Sequence, residues 1–323
     1  MRVRVAKAFA PATITNFFAV HYDKGMDDLL HAGATGGGYI LSQGAVSKVT
    51  ADGARDKTSI DIAVNGDPHY DARTTRSALG FLLKHTGMTV NLTVEQQVDV
   101  PIGFGFGASA ASALSAVSAA SAALGLQLQK EQVAFFAHEA EILQQTGLGT
   151  VSAAYDGIGA GVVYEPGAPG VAKFMNVDVP RGVRIVTAAL SPLRLRGLLS
   201  SQKKVSMLSR LGTEALGRVM REPTLDRMAK EGQWFTRKLG MMTSDVRSLV
   251  RVALSAGANY ASQNMVGQAI HAIVPTRQVP AVVTALRASA LLPRVDVFDI
   301  GSERAGVISV AELRYPTVRS SLE

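Results

Sequence analysis

The stretch that decides the fold is Pro101–Ala113, which reads PIGFGFGASAASA. Its alternating glycines let the backbone approach a ligand closely, and they are Gly103, Gly105 and Gly107. A helix then begins at Ala108 and Ser109, and its free N–H groups and positive dipole end predict a phosphate site. The Ser109 hydroxyl is a candidate contact for phosphate or Mg²⁺. No Gly-Lys-Ser/Thr follows, so this is not a P-loop, and a tight strand–helix turn is the alternative interpretation.

The helix after this loop is predicted to be buried in a globular protein rather than in a membrane. No charged residue occurs from Pro101 to Gln129, a length that is sufficient to span a bilayer. However, the segment opens with glycines and a proline, and serine recurs every third residue from Ser109 with alanines between. Such small residues favour a tightly packed internal helix, which we expect to end at Gly125.

The composition describes a globular chain and excludes several classes of site. Of 323 residues, 47% are hydrophobic and 18% are charged. The absence of cysteine excludes disulfides, thiolate metal sites and a cysteine nucleophile, and the six histidines form no zinc-binding motif. The formal charge of +7 suits anionic small molecules, whereas the lack of a dense Lys/Arg run disfavours nucleic acid. The first residues lack the apolar core of a signal peptide, so we expect a cytoplasmic protein with no membrane segment.

Along the chain, strands and helices mix without a strict βαβ repeat, which predicts an α+β fold in two lobes. The turn-rich stretch 165–170 is the expected boundary, giving lobes of residues 1–170 and 171–323. Further expectations are strands at 2–10, 88–98, 183–190, 295–300 and 306–313, a glycine-rich turn at 31–38, and helices at 72–83, 130–145, 197–211, 213–221, 223–239, 242–255 and 280–289.

A second candidate site is His138–Thr150, HEAEILQQTGLGT. Glu141 lies on a predicted helix nine residues before Thr150, and a buried helical carboxylate there is a candidate ligand for the metal of Mg·ATP. A solvated helix acid is the alternative. Glu139 and Glu141 are two residues apart and cannot share one helix face, so at most one of them faces a site.

Taken in order, these motifs resemble those of the GHMP kinases, named for galactokinase, homoserine kinase, mevalonate kinase and phosphomevalonate kinase. PIGFGFGAS is a close variant of their central Pro-x-x-x-Gly-Leu-Gly-Ser-Ser loop, and AFAPATIT (residues 8–15) matches their N-terminal motif. Within the superfamily the chain is most similar to archaeal pantoate kinases. That resemblance rests also on AEILQQTGLGT, on the PGAPG turn and on ASQNMVGQAIHA (residues 261–272).

The resemblance implies a ribosomal-protein-S5-like lobe, a ferredoxin-like lobe and a site between them. It implies ATP and Mg²⁺ as cofactors and phosphorylation of pantoate to 4-phosphopantoate in coenzyme A biosynthesis, with a homodimer as the family's habit. Ser109 and Glu141 would bind Mg²⁺, and with Thr150 they are the candidate catalytic residues. The candidate triphosphate cradle is Pro101, Gly103, Gly105, Gly107, Ala108 and Ser109. The candidate substrate contacts are Thr13, Thr35, Gly36 and Arg196.

The chain also departs from the family pattern around the acceptor. The family's Asp after TGLG is Thr150, which accepts no proton near neutral pH, and Asp156 is a candidate replacement. GATGGG replaces GSRGAG, which puts Ala34 and Thr35 where the family has a hydroxyl and a cation. Ala12-Thr13 replaces Gly-His, and an Arg before PGAPG is missing. The candidates for a replacement positive charge are Arg194, Arg196, Lys203 and Lys204.

These departures leave alternatives open. Changes where substrate contacts are expected favour a kinase for another hydroxy acid or alcohol, such as mevalonate or homoserine. Thr150 favours a catalytically silent relative that binds a nucleotide or metabolite, although such a protein need not keep Ser109 and Glu141. A basic nucleic-acid binder is the weakest alternative.

Overall fold

The computed structural model describes residues 4–22, 26–53, 57–192, 201–265 and 267–312. Arg194 and Arg196, both candidate cations, lie outside these ranges. The strands are β1 (Arg4–His21), β2 (Gly33–Gly53), β3 (Ser59–Val64), β4 (Val90–Val98), β5 (Ala160–Glu165), β6 (Lys173–Val177), β7 (Val183–Ser191), β8 (Tyr260–Gln263), β9 (Gln268–Pro275), β10 (Arg294–Phe298) and β11 (Gly306–Glu312). The helices are α1 (Arg73–Thr86), α2 (Ala108–Leu124), α3 (Lys130–Leu143), α4 (Thr150–Asp156), α5 (Gln202–Arg221), α6 (Leu225–Leu239), α7 (Ser244–Ser255) and α8 (Val279–Arg287), with a short 3₁₀ turn at Thr276–Gln278.

The described residues form two sheets, which confirms the predicted mixed α+β class. A seven-stranded sheet has the order β11-β1-β2-β4-β3, and β5 and β6 extend it from the first half of β2. A four-stranded sheet has the order β10-β7-β9-β8. Because β6 and β11 join the first sheet, sheet membership does not follow the predicted division at residue 170, and that boundary stays a prediction. No helix in the described ranges combines the length and apolarity that a membrane crossing requires.

Two sequence-based expectations about the first sheet were wrong. The strand expected at 2–10 continues as β1 through Pro11 to His21, and the register shifts between Pro11 and Thr13 absorb the proline. The turn expected at 31–38 is the start of β2. Its glycines serve a close approach of β1, because a Cβ at Gly38 would lie 2.2 Å from the Ile14 carbonyl oxygen.

Helix α2 is the central buried element, as its small residues predicted. Fourteen of its 17 residues are buried, and it packs against both β1 and β2. Two of its serines form hydrogen bonds there: Ser115 Oγ lies 2.7 Å from Ser47 Oγ, and Ser118 Oγ donates to the Leu114 carbonyl oxygen at 2.8 Å. Alanine and serine therefore bring α2 close to the sheet and fix where its N-terminus lies.

The second half of the chain contributes α5 and α6 against β1, and α7 and α8 against the four-stranded sheet. The two helices predicted at 197–211 and 213–221 are one helix, α5, over the part that is described. Gly212 does not end this helix but lets it approach β1, since a Cβ there would lie 1.9 Å from the Phe18 carbonyl oxygen.

Candidate active site

A cavity of about 460 Å³ opens where the glycine loop, the second half of β1, the first half of β2 and the turn before α4 meet. It brings together most of the residues predicted from the sequence: Thr13, Thr35, Gly36, Gly103, Gly105, Gly107, Ala108, Ser109 and Thr150. Pro101 and Glu141 are buried and do not line it. Segments more than 100 residues apart thus converge on one site, although the role of each residue stays a prediction.

The glycine loop presents an uncapped helix start to this cavity. Gly103, Gly105 and Gly107 have φ of +88°, +79° and +62°, a region that other residues rarely adopt. Gly107 is the N-cap of α2, and no side chain caps the helix. The first intrahelical bond runs from the Ala111 N–H to the Gly107 carbonyl, which leaves the preceding amides of the first turn for a ligand. This arrangement suits an anion.

Thr13 adds an unpaired hydroxyl beside that helix start. The residue is only 5% exposed, and no described residue forms a hydrogen bond with its Oγ1. Its backbone N–H donates to the Phe106 carbonyl at 3.0 Å, which fixes β1 against the loop. A Cβ at Gly107 would lie 2.6 Å from Thr13 Oγ1, so the hydroxyl points toward the backbone at the start of α2. A buried hydroxyl without a partner is costly, and a ligand oxygen in the cavity would satisfy it.

Glu141 lies on α3, as predicted, and its side chain contacts the start of α4. Its carboxylate is fully buried and accepts N–H donors from Gly149, Thr150 and Val151 at 3.1 to 3.2 Å, together with the Thr150 hydroxyl. Burial raises the pKa of Glu141, and these hydrogen bonds oppose the rise. The carboxylate therefore holds the start of α4, the short helix that the sequence did not predict. Binding a metal would require it to exchange these hydrogen bonds.

The opposite part of the cavity wall is largely apolar and is formed by β1, β2, β5 and β6. The His21 Nε2 lies 2.9 Å from the Thr35 hydroxyl, and burial lowers the pKa of His21, so the imidazole is neutral near pH 7. The apolar side chains here are Phe17, Phe18, Tyr39, Val163, Phe174 and Met265.

Two charged residues that the sequence did not single out also line the cavity. Asp71 and Arg73 lie at the start of α1, where Arg73 Nε donates to Asp71 Oδ2 at 2.9 Å. No motif marks them, because only the tertiary fold brings α1 beside the loop. The candidate base Asp156 and the candidate cations Lys203 and Lys204 do not line the cavity.

Comparisons with known proteins agree with this geometry. The family model of the GHMP kinase N-terminal domain matches residues 73–157, which include the glycine loop, α2, α3 and α4. This part of the chain matches the GHMP kinase family. The chain is 29% identical over 271 residues to the pantoate kinase of Thermococcus kodakarensis, covering 83% of this chain and 87% of that protein. It is 27% identical over 277 residues to the pantoate kinase of Methanospirillum hungatei, covering 84% and 89%.

A solved structure described as a phosphotransferase related to the CoA biosynthesis pathway matches with a TM-score of 0.82 at 27% identity. The match covers 96% of this chain and 99% of that one. It therefore includes both sheets and the cavity between the loop and β2. The predicted GHMP kinase fold is confirmed, and the glycine loop that lines the cavity lies within the residues that the family model matches.

As a GHMP kinase site, the cavity has a polar half and an apolar half. The polar half consists of backbone N–H groups at the start of α2, with hydroxyls from Thr13 and Ser109 near them. The apolar half ends at the Thr35–His21 pair. Thr150 also lines the cavity and places its methyl group toward Gly107, since a Cβ there would be 2.9 Å from Thr150 Cγ2.

Proposed function

We propose that the protein is an ATP-dependent kinase that phosphorylates the primary hydroxyl of pantoate to give 4-phosphopantoate in coenzyme A biosynthesis. The observation that carries this proposal is the uncapped start of α2 with the unpaired Thr13 hydroxyl beside it. Both features need an anion with oxygen acceptors, and they face a cavity large enough for a small acceptor. The similarity to two pantoate kinases then favours pantoate over other alcohols.

The residues of the glycine loop and its neighbours fit a nucleoside triphosphate. The loop from Gly103 to Gly107 has no side chain bulk at its three positive-φ positions, so phosphate oxygens can approach its backbone N–H groups. Ser109 follows in the first turn of α2 and lines the cavity. Thr13 would donate a hydrogen bond from its hydroxyl to a terminal phosphate oxygen. This bond would give the buried hydroxyl the partner that it lacks among the described residues.

The fit to a protein-bound Mg²⁺ is weaker. The described residues contain no cluster of three or more carboxylate or imidazole groups, and the Glu141 carboxylate is occupied by the start of α4. Mg²⁺ usually keeps several waters and binds mainly through substrate phosphates, with one or two protein ligands. Mg²⁺ would supply charge neutralisation on the triphosphate, with Ser109 as its candidate contact. Ligation of Mg²⁺ by Glu141 stays a prediction.

The chemical step would depend mainly on positioning. Transfer of a γ-phosphoryl group passes through a loose transition state in which little proton removal is needed early. The amides at the start of α2 and the hydroxyls of Thr13 and Ser109 would stabilise the negative oxygens of the transferring group. Thr150, whose hydroxyl is bonded to Glu141, would line the path of the acceptor hydroxyl without acting as a base. A missing general base typically costs about 10²–10⁴-fold in rate, which slows a kinase without abolishing it.

The acceptor would lie against Thr35, Gly36 and the apolar wall. Pantoate carries two methyl groups on one carbon, which this wall suits, and a carboxylate, which needs donors or a cation. The Thr35 hydroxyl, which pairs with His21 Nε2, is a candidate contact on that side of the cavity. Arg196, predicted as the cation, lies outside the described residues, and its role stays a prediction. A homodimer is likewise proposed from the family resemblance, and a cytoplasmic location from the absence of cysteine.

A substrate panel tests the proposal. Purified protein is supplied with Mg·ATP and one acceptor at a time: D-pantoate, mevalonate, homoserine or pantothenate. ADP release with D-pantoate well above the ATP-only rate is the expected result. Activity with mevalonate or homoserine alone would support kinase activity but show that pantoate is not the acceptor. If no acceptor causes ADP release although ATP still binds, the protein is a nucleotide-binding protein without kinase activity on these acceptors.

A further inference from the structure

The segment 261–272, ASQNMVGQAIHA, comes from the second sheet but contacts the glycine loop directly. Asn264 Nδ2 donates to the Phe104 carbonyl oxygen at 3.0 Å. Gly267 lies against the same peptide group, because a Cβ there would be 2.8 Å from both the carbonyl carbon and the carbonyl oxygen of Phe104. Phe104 stands between Gly103 and Gly105. This segment thus contacts the residue that separates two of the positive-φ glycines of the loop.

Behind Asn264, a buried polar chain leads to rigid elements. Asn264 Oδ1 lies 2.9 Å from His271 Nδ1, and His271 Nε2 lies 3.0 Å from Asn16 Oδ1. Asn16 Nδ2 donates to the Met228 carbonyl oxygen at 2.9 Å. Asn16, Asn264 and His271 are all at most 2% exposed. The chain therefore connects the loop to β1, β9 and α6, which belong to different parts of the fold.

The orientation of each carboxamide is fixed by a backbone carbonyl. The NH₂ groups of Asn16 and Asn264 face the Met228 and Phe104 carbonyl oxygens, so both amide oxygens face the ring of His271. Burial lowers the pKa of His271 to about 3, so the ring is neutral and donates to one amide oxygen at a time. Apolar residues would fill this space at lower desolvation cost, whereas a polar chain also specifies one geometry.

We propose that Asn264, supported by His271 and Asn16, is a positioning residue for the nucleotide site. It holds the Phe104 carbonyl and so keeps the N–H groups from Gly105 to Ser109 directed at the phosphates before the nucleotide arrives. A loop with glycines on both sides of Phe104 otherwise loses conformational freedom on binding, which lowers affinity. This inference rests on the proposed function, since it requires a nucleotide at the loop.

The test compares Asn264→Ala with Ser262→Ala by calorimetric titration with ADP and by steady-state kinetics. Ser262 is a matched control: it lies two residues away, is equally buried, and its hydroxyl bonds Thr236 at 3.1 Å rather than the loop. Asn264→Ala should weaken ADP binding and raise KM for ATP by about tenfold, the size expected for one lost hydrogen bond. Its KM for pantoate should stay close to that of the unaltered protein. Ser262→Ala should leave ADP affinity and both KM values unchanged.

Equal ADP affinity of Asn264→Ala and the unaltered protein would overturn the inference, as would an equal loss in Ser262→Ala. If Asn264→Ala does not fold, Gly267→Ala displaces the same peptide group in another way, because the added methyl group presses on Phe104. The same loss of ADP affinity, with an unchanged KM for pantoate, is then expected. Unchanged ADP affinity in a folded Gly267→Ala would then overturn it. Failure of the unaltered protein to bind ADP would instead refute the proposed function itself.

Discussion

Gly107→Ala is the substitution that most sharply separates the loop's binding role from its structural role. Gly107 has φ of +62°, where a side chain costs about 1–2 kcal/mol of backbone strain. The new methyl group would lie 2.6 Å from Thr13 Oγ1 and 2.9 Å from Thr150 Cγ2. Because Thr13 is 95% buried and cannot move aside freely, this overpacking adds about 1–3 kcal/mol. The expected total destabilisation is about 2–5 kcal/mol.

Gly87→Ala is the matched control for that strain. Gly87 has φ of +64° and follows α1, and an added Cβ meets no atom within 4 Å. Gly87→Ala should therefore lose only the stability that the backbone strain costs, about 1–2 kcal/mol, and should keep full activity. Gly107→Ala should in addition lose about 10²-fold in kcat/KM, because the added methyl group displaces the two hydroxyl-bearing residues that flank the phosphate site.

The assay is ADP release with Mg·ATP and D-pantoate, with urea unfolding run on the same preparations. Activity is measured at a temperature where both variants are folded, so that the loss in kcat/KM is separated from the loss in stability. If Gly107→Ala retained the kcat/KM of Gly87→Ala, the start of α2 would not be the phosphate site. The assignment of the cavity would then be wrong.

Three further predictions follow from the site and the core. Thr150→Val should destabilise the protein by about 1–3 kcal/mol, because the buried Glu141 loses a hydroxyl donor. Thr150→Ser keeps that hydroxyl and should retain the stability of the unaltered protein. Equal midpoints of urea unfolding for the two variants would contradict this prediction. Ser109→Ala should lower kcat by about 10²-fold, and Ser118→Ala, which removes a hydroxyl farther along the same helix, should not; equal rates in the ADP assay would exclude Ser109 from the site. Burial lowers the pKa of His138 to about 4, from about 6.5 in the unfolded chain. As pH falls, His138 is therefore protonated in the unfolded chain before it is protonated in the folded protein. The folded protein loses stability between about pH 6.5 and about pH 4 for this reason. His138→Gln should reduce the stability difference between pH 7 and 4.5 by about 2–3 kcal/mol, and an unchanged difference would argue against a buried neutral ring.

The geometry of the glycine loop and of α2 was predictable because its determinants are local. Alternating glycines and a following run of small residues specify positive φ values, an uncapped helix start and a tightly packed α2, all within Pro101–Leu124. None of these features depends on which distant segment packs nearby. The order of the motifs then added the family, which no single glycine loop specifies.

The remainder depends on contacts that a local pattern does not contain. The glycines of β2 suggest a turn, and only the approach of β1 over Gly38 shows why a strand needs them. The hydrogen bonds of Glu141 to the start of α4 could not be predicted, because the sequence did not reveal that helix. Asp71 reaches the cavity only through the packing of α1, and Asn264 reaches the loop from the other sheet.

The most direct test of the central claim is to identify the product by ³¹P NMR after incubation with Mg·ATP and D-pantoate. The account predicts ADP together with a new phosphomonoester signal whose phosphorus couples to the C4 methylene protons of pantoate, formed in equal amounts. Consumption of ATP to ADP and inorganic phosphate alone, or no reaction with pantoate while another acceptor is phosphorylated, would contradict it.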